Sequence, residues 1–564
     1  MRLTSIVSGL SAIGGVVAAT TLESDNFNVT SALENLGVDV TKIPALASLP
    51  DVQARSTENA CSIAVSQLIV RLQATNICFF FFFFLARLIT IEQCSSLKFL
   101  FGSKVSSQNS AGYNNFTGSF WSVQQEEVQP HCVFRPSVNT EVSTAVLLSR
   151  LTGCQFAARS GGHAAFTGAS SSPDGISIWF KDMNEVTLNE DKSVVSVGPG
   201  NNWLAVYSAL EPYGLGAVGG RASSIGVGGF VLGGGISYHS NLFGWACDNV
   251  QSFEVVTASG LILTVSENTL PDLYWALRGG GNNFGLVTKY NLFTIPAPQM
   301  YGGARTFLES EFPDVINAWK NVVNNATVDG HAQQYVAFLQ NSGMNLASAE
   351  LTYTKNDSNP EIYKQYRNIS AISDTSSSKS LVEYVKYLET ENPFGLREVY
   401  WPISVELNEE FANWVVKTFY SMIPQVANVT GAQPVIIYQG ITEVMIKNMA
   451  KHGGNALGLD SSNGPVHLMH IACWWSDESD DDTVYAFVNA FWEKVIAHAK
   501  AVGVYNEYIY MNYASMFQDP ISGYGDSNKA LLKKIANKFD PKQVYQTLQP
   551  GYFKLNGAPV TGAF

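Results

Sequence analysis

Hydrophobic and polar positions change their period several times along the chain. His131-Cys-Val-Phe-Arg-Pro136 reads as a short strand stopped by Pro136. From Val138 to Leu151 the spacing becomes helical, with Val142, Val146 and Leu147 on one face and Asn139 or Thr140 as N-cap. Gln155-Phe-Ala-Ala-Arg159 reads as the next strand. This β–α–β alternation predicts an α+β or α/β domain. Beyond residue 300, the runs 334–340, 434–438 and 466–475 read as strands, and 312–322, 410–422 and 482–503 as helices. They predict a second domain that supplies a substrate wall. The stretch 504–555 returns to strand, turn and helix texture, whereas residues 20–60 form a polar leader with few periodic signals.

Two segments at the beginning stand apart. Arg2, the apolar stretch Ile6 to Val17 and the small residues Val17-Ala18-Ala19 read as a secretory signal peptide over 1–19. Residues 77–91 read ICFFFFFFLARLITI. The run falls short of the roughly 20 residues of a membrane span, and Arg87 interrupts it, so no stable span is expected. Six adjacent Phe residues fit neither a helical stripe nor an alternating strand. Phe codons are pyrimidine-rich, as are the ends of introns, and residues 68–97 are read as a retained intron in the gene model.

Composition narrows the class. A chain of 564 residues with 46% hydrophobic and 14% charged residues can bury a large core and suggests two domains. A net charge of -13 argues against DNA or RNA as partner. Seven cysteines are too few for a disulfide scaffold, and none sits at metal-ligand spacing, so no metal is expected. Secretion would allow one structural disulfide, for which Cys61 with Cys132 is the expected pair. Sequons at Asn28, Asn115, Asn325, Asn356, Asn368 and Asn428 are compatible with glycosylation.

Glycine clusters between residues 159 and 285. Glycine loses the most entropy on folding, so such clustering needs a backbone reason; main-chain N–H groups approaching a phosphate are one. The first cluster, Arg159-Ser-Gly-Gly-His163, follows an apolar strand. The second, Gly219-Gly-Arg-Ala-Ser-Ser-Ile-Gly-Val-Gly-Gly-Phe-Val-Leu-Gly-Gly-Gly235, contains no P-loop and lacks the setting of a Rossmann fingerprint.

These two motifs, with Ala246-Cys-Asp-Asn-Val250, Leu277-Arg-Gly-Gly-Gly-Asn-Asn-Phe-Gly285 and the closing Tyr508-Ile-Tyr-Met-Asn-Tyr-Ala514, resemble the berberine-bridge-enzyme-like FAD-linked oxidases of the vanillyl-alcohol-oxidase superfamily. The style is similar to fungal secondary-metabolite oxidases. The resemblance implies an α+β, two-domain fold: a PCMH-type FAD domain over 128–299, begun in 20–127 and completed by 504–555, and an antiparallel-sheet substrate domain over 300–503. It implies covalent FAD on His163. Arg159, Ser160, Gly161, Gly162, Gly220, Ser224, Ile225, Gly226, Gly228 and Gly229 would line the pyrophosphate and ring, and Asn512 and Tyr513 would sit near the isoalloxazine. Doubly linked members carry a Cys where this chain has Ala222, so a single bond is expected. Tyr510 is the expected catalytic base, and His467, His470 and Tyr438 are further residues that could face the flavin. The implied reaction is hydride transfer from a small organic substrate to FAD, with molecular oxygen as acceptor. A dehydrogenase, an oxidative cyclase and a non-enzymatic secreted binding glycoprotein are the rival readings.

Overall fold

The computed structural model describes residues 21–24, 26–47, 93–173 and 175–561. The segment read as a signal peptide, the Phe run and Cys61 lie outside them.

Proline and glycine set the limits of the first β–α–β unit. Strand Cys132–Phe134 ends before Pro136, and helix Asn139–Thr152 ends at Gly153, whose φ of 72° is a left-handed conformation that costs glycine little. The N-cap is Val138, not Asn139 or Thr140, and it offers no side-chain acceptor. Glu141 instead reaches back to accept the Ser137 N–H at 2.8 Å. Strand Phe156–Arg159 pairs in parallel with Ile176–Trp179, which also pairs in parallel with Cys132–Phe134; antiparallel Val105–Ser107 completes a four-stranded sheet. A six-stranded antiparallel sheet follows, organised on the long strand Leu286–Pro296 between Val194–Val197 and Val250–Val256.

The third sheet has nine antiparallel strands from Met300 to Asn506. Its strands include the anticipated Val466–Trp475 and longer versions of two others, Ala332–Asn341 and Gln433–Ile441. Successive side chains of a strand point to opposite faces. Val336, Phe338, Ile436, Tyr438, Met469 and Ile471 accordingly form one core with the apolar stripes of helices Phe312–Asn325, Glu409–Met422 and Asp481–Ala501. Tyr335, Ala337, Ile437, Gln439, His470 and Ala472 face the other way, into a cavity shared with the glycine-rich loops. The whole is the α+β arrangement expected from sequence, with an antiparallel sheet in the second region.

Two expectations for the N-terminal region need correction. The leader is partly structured: Asn28 caps helix Val29–Asn35, whose Val29 and Leu33 join the core of Val142 and Leu151, and Glu23 pairs at two points with Arg150, both at 2.6 Å. The disulfide joins Cys94, not Cys61, to Cys132, with Cα atoms 6.0 Å apart. Cys94 lies within the segment 68–97, on the helix that packs against Ser149 and the core, which is what brings it to Cys132. Residues 93–101 are helical; Gln93 donates to Ser149 Oγ at 2.6 Å and Leu97 is fully buried. The last five residues of the segment read as an intron, 93–97, therefore belong to the fold. Among the described residues no helix is long and apolar enough to cross a membrane.

A non-reducing peptide map should return the Cys94–Cys132 cross-link, and Cys94→Ser should cost about 2–4 kcal/mol of stability. A Cys61–Cys132 peptide in that map would contradict the structure.

Candidate functional site

Between the open face of the nine-stranded sheet and the glycine-rich loops lies a cavity of about 740 Å³, near the upper end of the usual range for small-molecule sites. Its floor is made where two loops touch main chain to main chain. A Cβ on Gly161 would lie 2.4 Å from the Gly226 nitrogen, and one on Gly226 would lie 2.2 Å from the Gly161 nitrogen. Gly162 adds a φ of +76°. Ser160 ties the loops together: its Oγ donates to the Pro199 carbonyl at 2.6 Å and accepts the Gly228 N–H at 3.0 Å.

His163 stands at the end of the first loop and lines the cavity. Its ring stacks on Trp121 at 4.3 Å, and its buried Nε2 has no hydrogen-bond partner among the described residues. Burial brings its pKa down to about 4, against a weaker opposing pull from Glu389. The imidazole is therefore neutral near pH 7 and keeps a free lone pair.

Several residues expected at this floor face elsewhere. Arg159 follows the alternation of its strand: Ala158 and Ser160 line the cavity, so the guanidinium points to the other side. There it donates to the carbonyls of Phe116 (2.7 Å) and Ser119 and lies 3.6 Å from the centre of the Phe120 ring. Burial lowers its pKa to about 9, with Glu126 opposing. It fastens the segment around residues 116–120 rather than a phosphate. Gly220 faces the Trp203 ring, where a Cβ would meet Cδ1 at 2.4 Å. Ser224 gives its N–H to Glu389 Oε2 at 2.9 Å. Ile225, Gly226, Gly228 and Gly229 do line the cavity, as does Ala222.

The closing segment supplies a cluster of aromatic hydroxyls. Tyr510 is 1% exposed, and its hydroxyl accepts the Ile236 N–H and an Asn512 Nδ2–H, both at 3.1 Å. Burial is the largest influence on it and pushes its pKa up. Asn512 also donates to the Phe230 carbonyl at 3.0 Å and accepts from Tyr552 at 3.3 Å. Tyr513 is different: its hydroxyl accepts from the Arg221 guanidinium and from Gln439 Nε2 at 3.2 Å. Burial disfavours the charge on Arg221, but Tyr513, Tyr238, Tyr335 and Tyr510 together hold its pKa above the ordinary value. His470 lies 4.4 Å from Tyr513, ring to ring, and burial followed by Arg221 brings its pKa down to about 3. His467 and Tyr438 face the helices instead; the His467 ring is 4.3 Å from Trp319 and 4.4 Å from Tyr438.

Sequence reasoning missed Arg221 and Gln439. Arg221 is the one charge in its glycine run. Gln439 is the polar residue that follows Val435 and Ile437 on the cavity face of an apolar strand.

The residues present fit FAD. The glycine floor exposes main chain at a distance that side chains would forbid, and the loops and strand bordering it, 158–170, 221–236 and 281–290, place no carboxylate on the cavity. That suits a pyrophosphate. His163, at the end of the first loop, brings an imidazole to the wall of the same cavity.

Comparison with known proteins agrees. The model of the FAD binding domain family matches residues 130–266. The FAD-dependent monooxygenase tpcD of Cochliobolus heterostrophus is 33% identical over 451 residues, 78% of this chain and 87% of that protein. The FAD-dependent monooxygenase FUP4 of Fusarium proliferatum is 33% identical over 453 residues, 77% of this chain and 87% of that protein. Among solved structures, 6-hydroxy-D-nicotine oxidase of Arthrobacter nicotinovorans superposes with a TM-score of 0.66 at 19% identity, covering 79% of this chain and 96% of that one. Berberine bridge enzyme of Eschscholzia californica gives 0.66 at 18% identity, covering 84% and 100%. At such identities these two structures establish the shared fold.

Gly161→Ala and Gly226→Ala should each push the two loops apart, at about 1–3 kcal/mol per added methyl, and yield protein with little bound flavin. Visible absorbance equal to wild type in either variant would show that the main-chain contact does not build the floor.

Proposed function

This chain belongs to the berberine-bridge-enzyme-like FAD-linked oxidoreductases, and from that premise we propose that it oxidises a small organic molecule by hydride transfer to FAD held covalently at His163. The observation that carries the reading is the sharing of one cavity by His163 and the Arg221–Tyr513–Gln439 group, which joins the second glycine-rich loop to the closing segment and the sheet. Bound FAD supplies the two-electron acceptor. The protein supplies the attachment point, the orientation of the substrate and the proton acceptor.

Tyr513, not Tyr510, is the base this geometry favours. Its hydroxyl oxygen accepts from a charged donor, the Arg221 guanidinium, and from Gln439 Nε2, and it lines the cavity. Tyr510 has only neutral donors and a buried setting that disfavours its charge. Its hydroxyl joins the Ile236 N–H to Asn512 and so fixes the wall against which Tyr513 stands. With Ala222 at the cavity no thioether can form, and the tether is single. The oxidised substrate is a secondary metabolite, as the family resemblance suggests, and dioxygen takes up the electrons as hydrogen peroxide. The protein acts in the secretory pathway, a reading supported by the Cys94–Cys132 bond and by exposed sequon asparagines at positions 115, 325, 356, 368 and 428.

The relatives named as monooxygenases define the competing reaction, insertion of one oxygen atom. Turnover of a panel of aryl alcohols and aryl amines under ¹⁸O₂, with and without NADPH, separates the two. The proposal expects one hydrogen peroxide per product and no label in the product; a labelled product that requires NADPH would contradict it. With the same substrates and oxygen removed, Tyr513→Phe should slow flavin reduction by about 10²-fold or more, and Tyr510→Phe far less. The reverse order would return the base role to Tyr510.

A further inference from the structure

The substrate wall carries a buried carboxylate that the reaction at Tyr513 does not use. Glu350 lies on strand Met344–Tyr353, is 3% exposed and lines the cavity. The sheet register places it: Glu350 is opposite Tyr335, and Tyr335 is opposite Gln439, whose amide holds Tyr513. Two strand spacings separate Glu350 from Gln439, about 10 Å along one row of cavity-facing residues. The wall thus has a proton-accepting group at one place and a carboxylate one small-molecule length away.

The carboxylate is held rather than consumed. Tyr384 donates to Oε1, and Tyr384 is itself fixed by the Thr352 hydroxyl at 2.9 Å. Tyr387 approaches Oε2 at 3.5 Å. An ionised carboxylate has about four acceptor sites, so these contacts leave sites open toward the cavity. Among the described residues no cation pairs with Glu350 directly: Lys379, the nearest influence of that sign, spends its ammonium on the Gly302 carbonyl at 3.0 Å and on Ser377. Glu391, Tyr238, Tyr335, Tyr363, Tyr384 and Tyr387 are the other titratable groups that interact with it electrostatically. A buried carboxylate without a cation is costly unless something completes it, and here the open side is the cavity.

We propose that Glu350 is the specificity-determining anchor of the substrate site, and that it selects small aromatic substrates carrying a protonated amine at the end remote from the bond that is oxidised. This rests on the flavin reading of the cavity and adds the substrate class to it. The amine donates to Glu350, the aromatic body lies along Tyr335 and Ala337, and the oxidised carbon comes to rest between Tyr513 and the flavin.

The test uses the flavin-loaded enzyme and an isosteric pair of probes, tyramine and tyrosol, titrated against the visible flavin spectrum at a pH of about 8, above the value of about 7 to which burial lifts the Glu350 carboxyl. Wild type should bind tyramine about 10-fold or more tightly than tyrosol. Glu350→Gln should bring the two affinities together while flavin content stays unchanged. Glu350→Asp, which keeps the charge, should retain a preference. Equal affinities in wild type would overturn the proposal without any variant, as would a preference that survives Glu350→Gln. Protein without flavin would instead overturn the reading of the cavity on which the proposal rests.

Discussion

The site depends on one main-chain contact. Gly161 leaves the end of a parallel strand and Gly226 precedes a short helix, and the two loops meet at a separation that no Cβ could enter. That contact fixes the distance between the strand that ends in the His163 loop and the loop that carries Arg221, Ala222 and Ile225. Ser160 secures it from below by bridging Pro199 and Gly228. Everything on the cavity floor takes its position from there, and the nine-stranded sheet closes the space above it.

The electrostatics divide along the same line. The floor offers main chain, small side chains and Arg221 without a carboxylate, whereas the wall and closing segment offer Tyr513, Gln439, His470 and Glu350. Burial keeps His163 and His470 neutral, since both pKa values fall well below 7. Charge in the reactive part of the cavity is thereby left to Arg221, whose hydrogen-bond partner is the phenol of Tyr513.

Much of this was legible in the sequence, and what was not has identifiable causes. Local period gave the strand 466–475 and the helices following Phe312 and Glu409, because burial on one face imposes that period directly. Clustered glycines marked the floor because only a backbone approach requires them. Parity along the strand already separates His467 from His470, but which of the two faces the cavity depends on which side of the sheet the helices cover. Arg159 was assigned to the phosphate by its place in a motif, against the alternation that puts Ala158 and Ser160 there. The Arg221–Tyr513–Gln439 group joins positions 292 and 74 residues apart in sequence, and no local pattern reports such a meeting. Cys94 was lost because the segment around the Phe run was judged as a whole, although its last residues carry a disulfide and a core leucine.

The central claim is that this cavity holds FAD tethered through His163. The most direct test is the visible spectrum of the purified protein before and after acid precipitation, in wild type and in His163→Ala. The account predicts yellow colour that stays with the wild-type precipitate and flavin that is released into the supernatant from His163→Ala. Flavin released from wild type, or retained by His163→Ala, would contradict the tether, and a colourless wild-type protein would contradict the site itself.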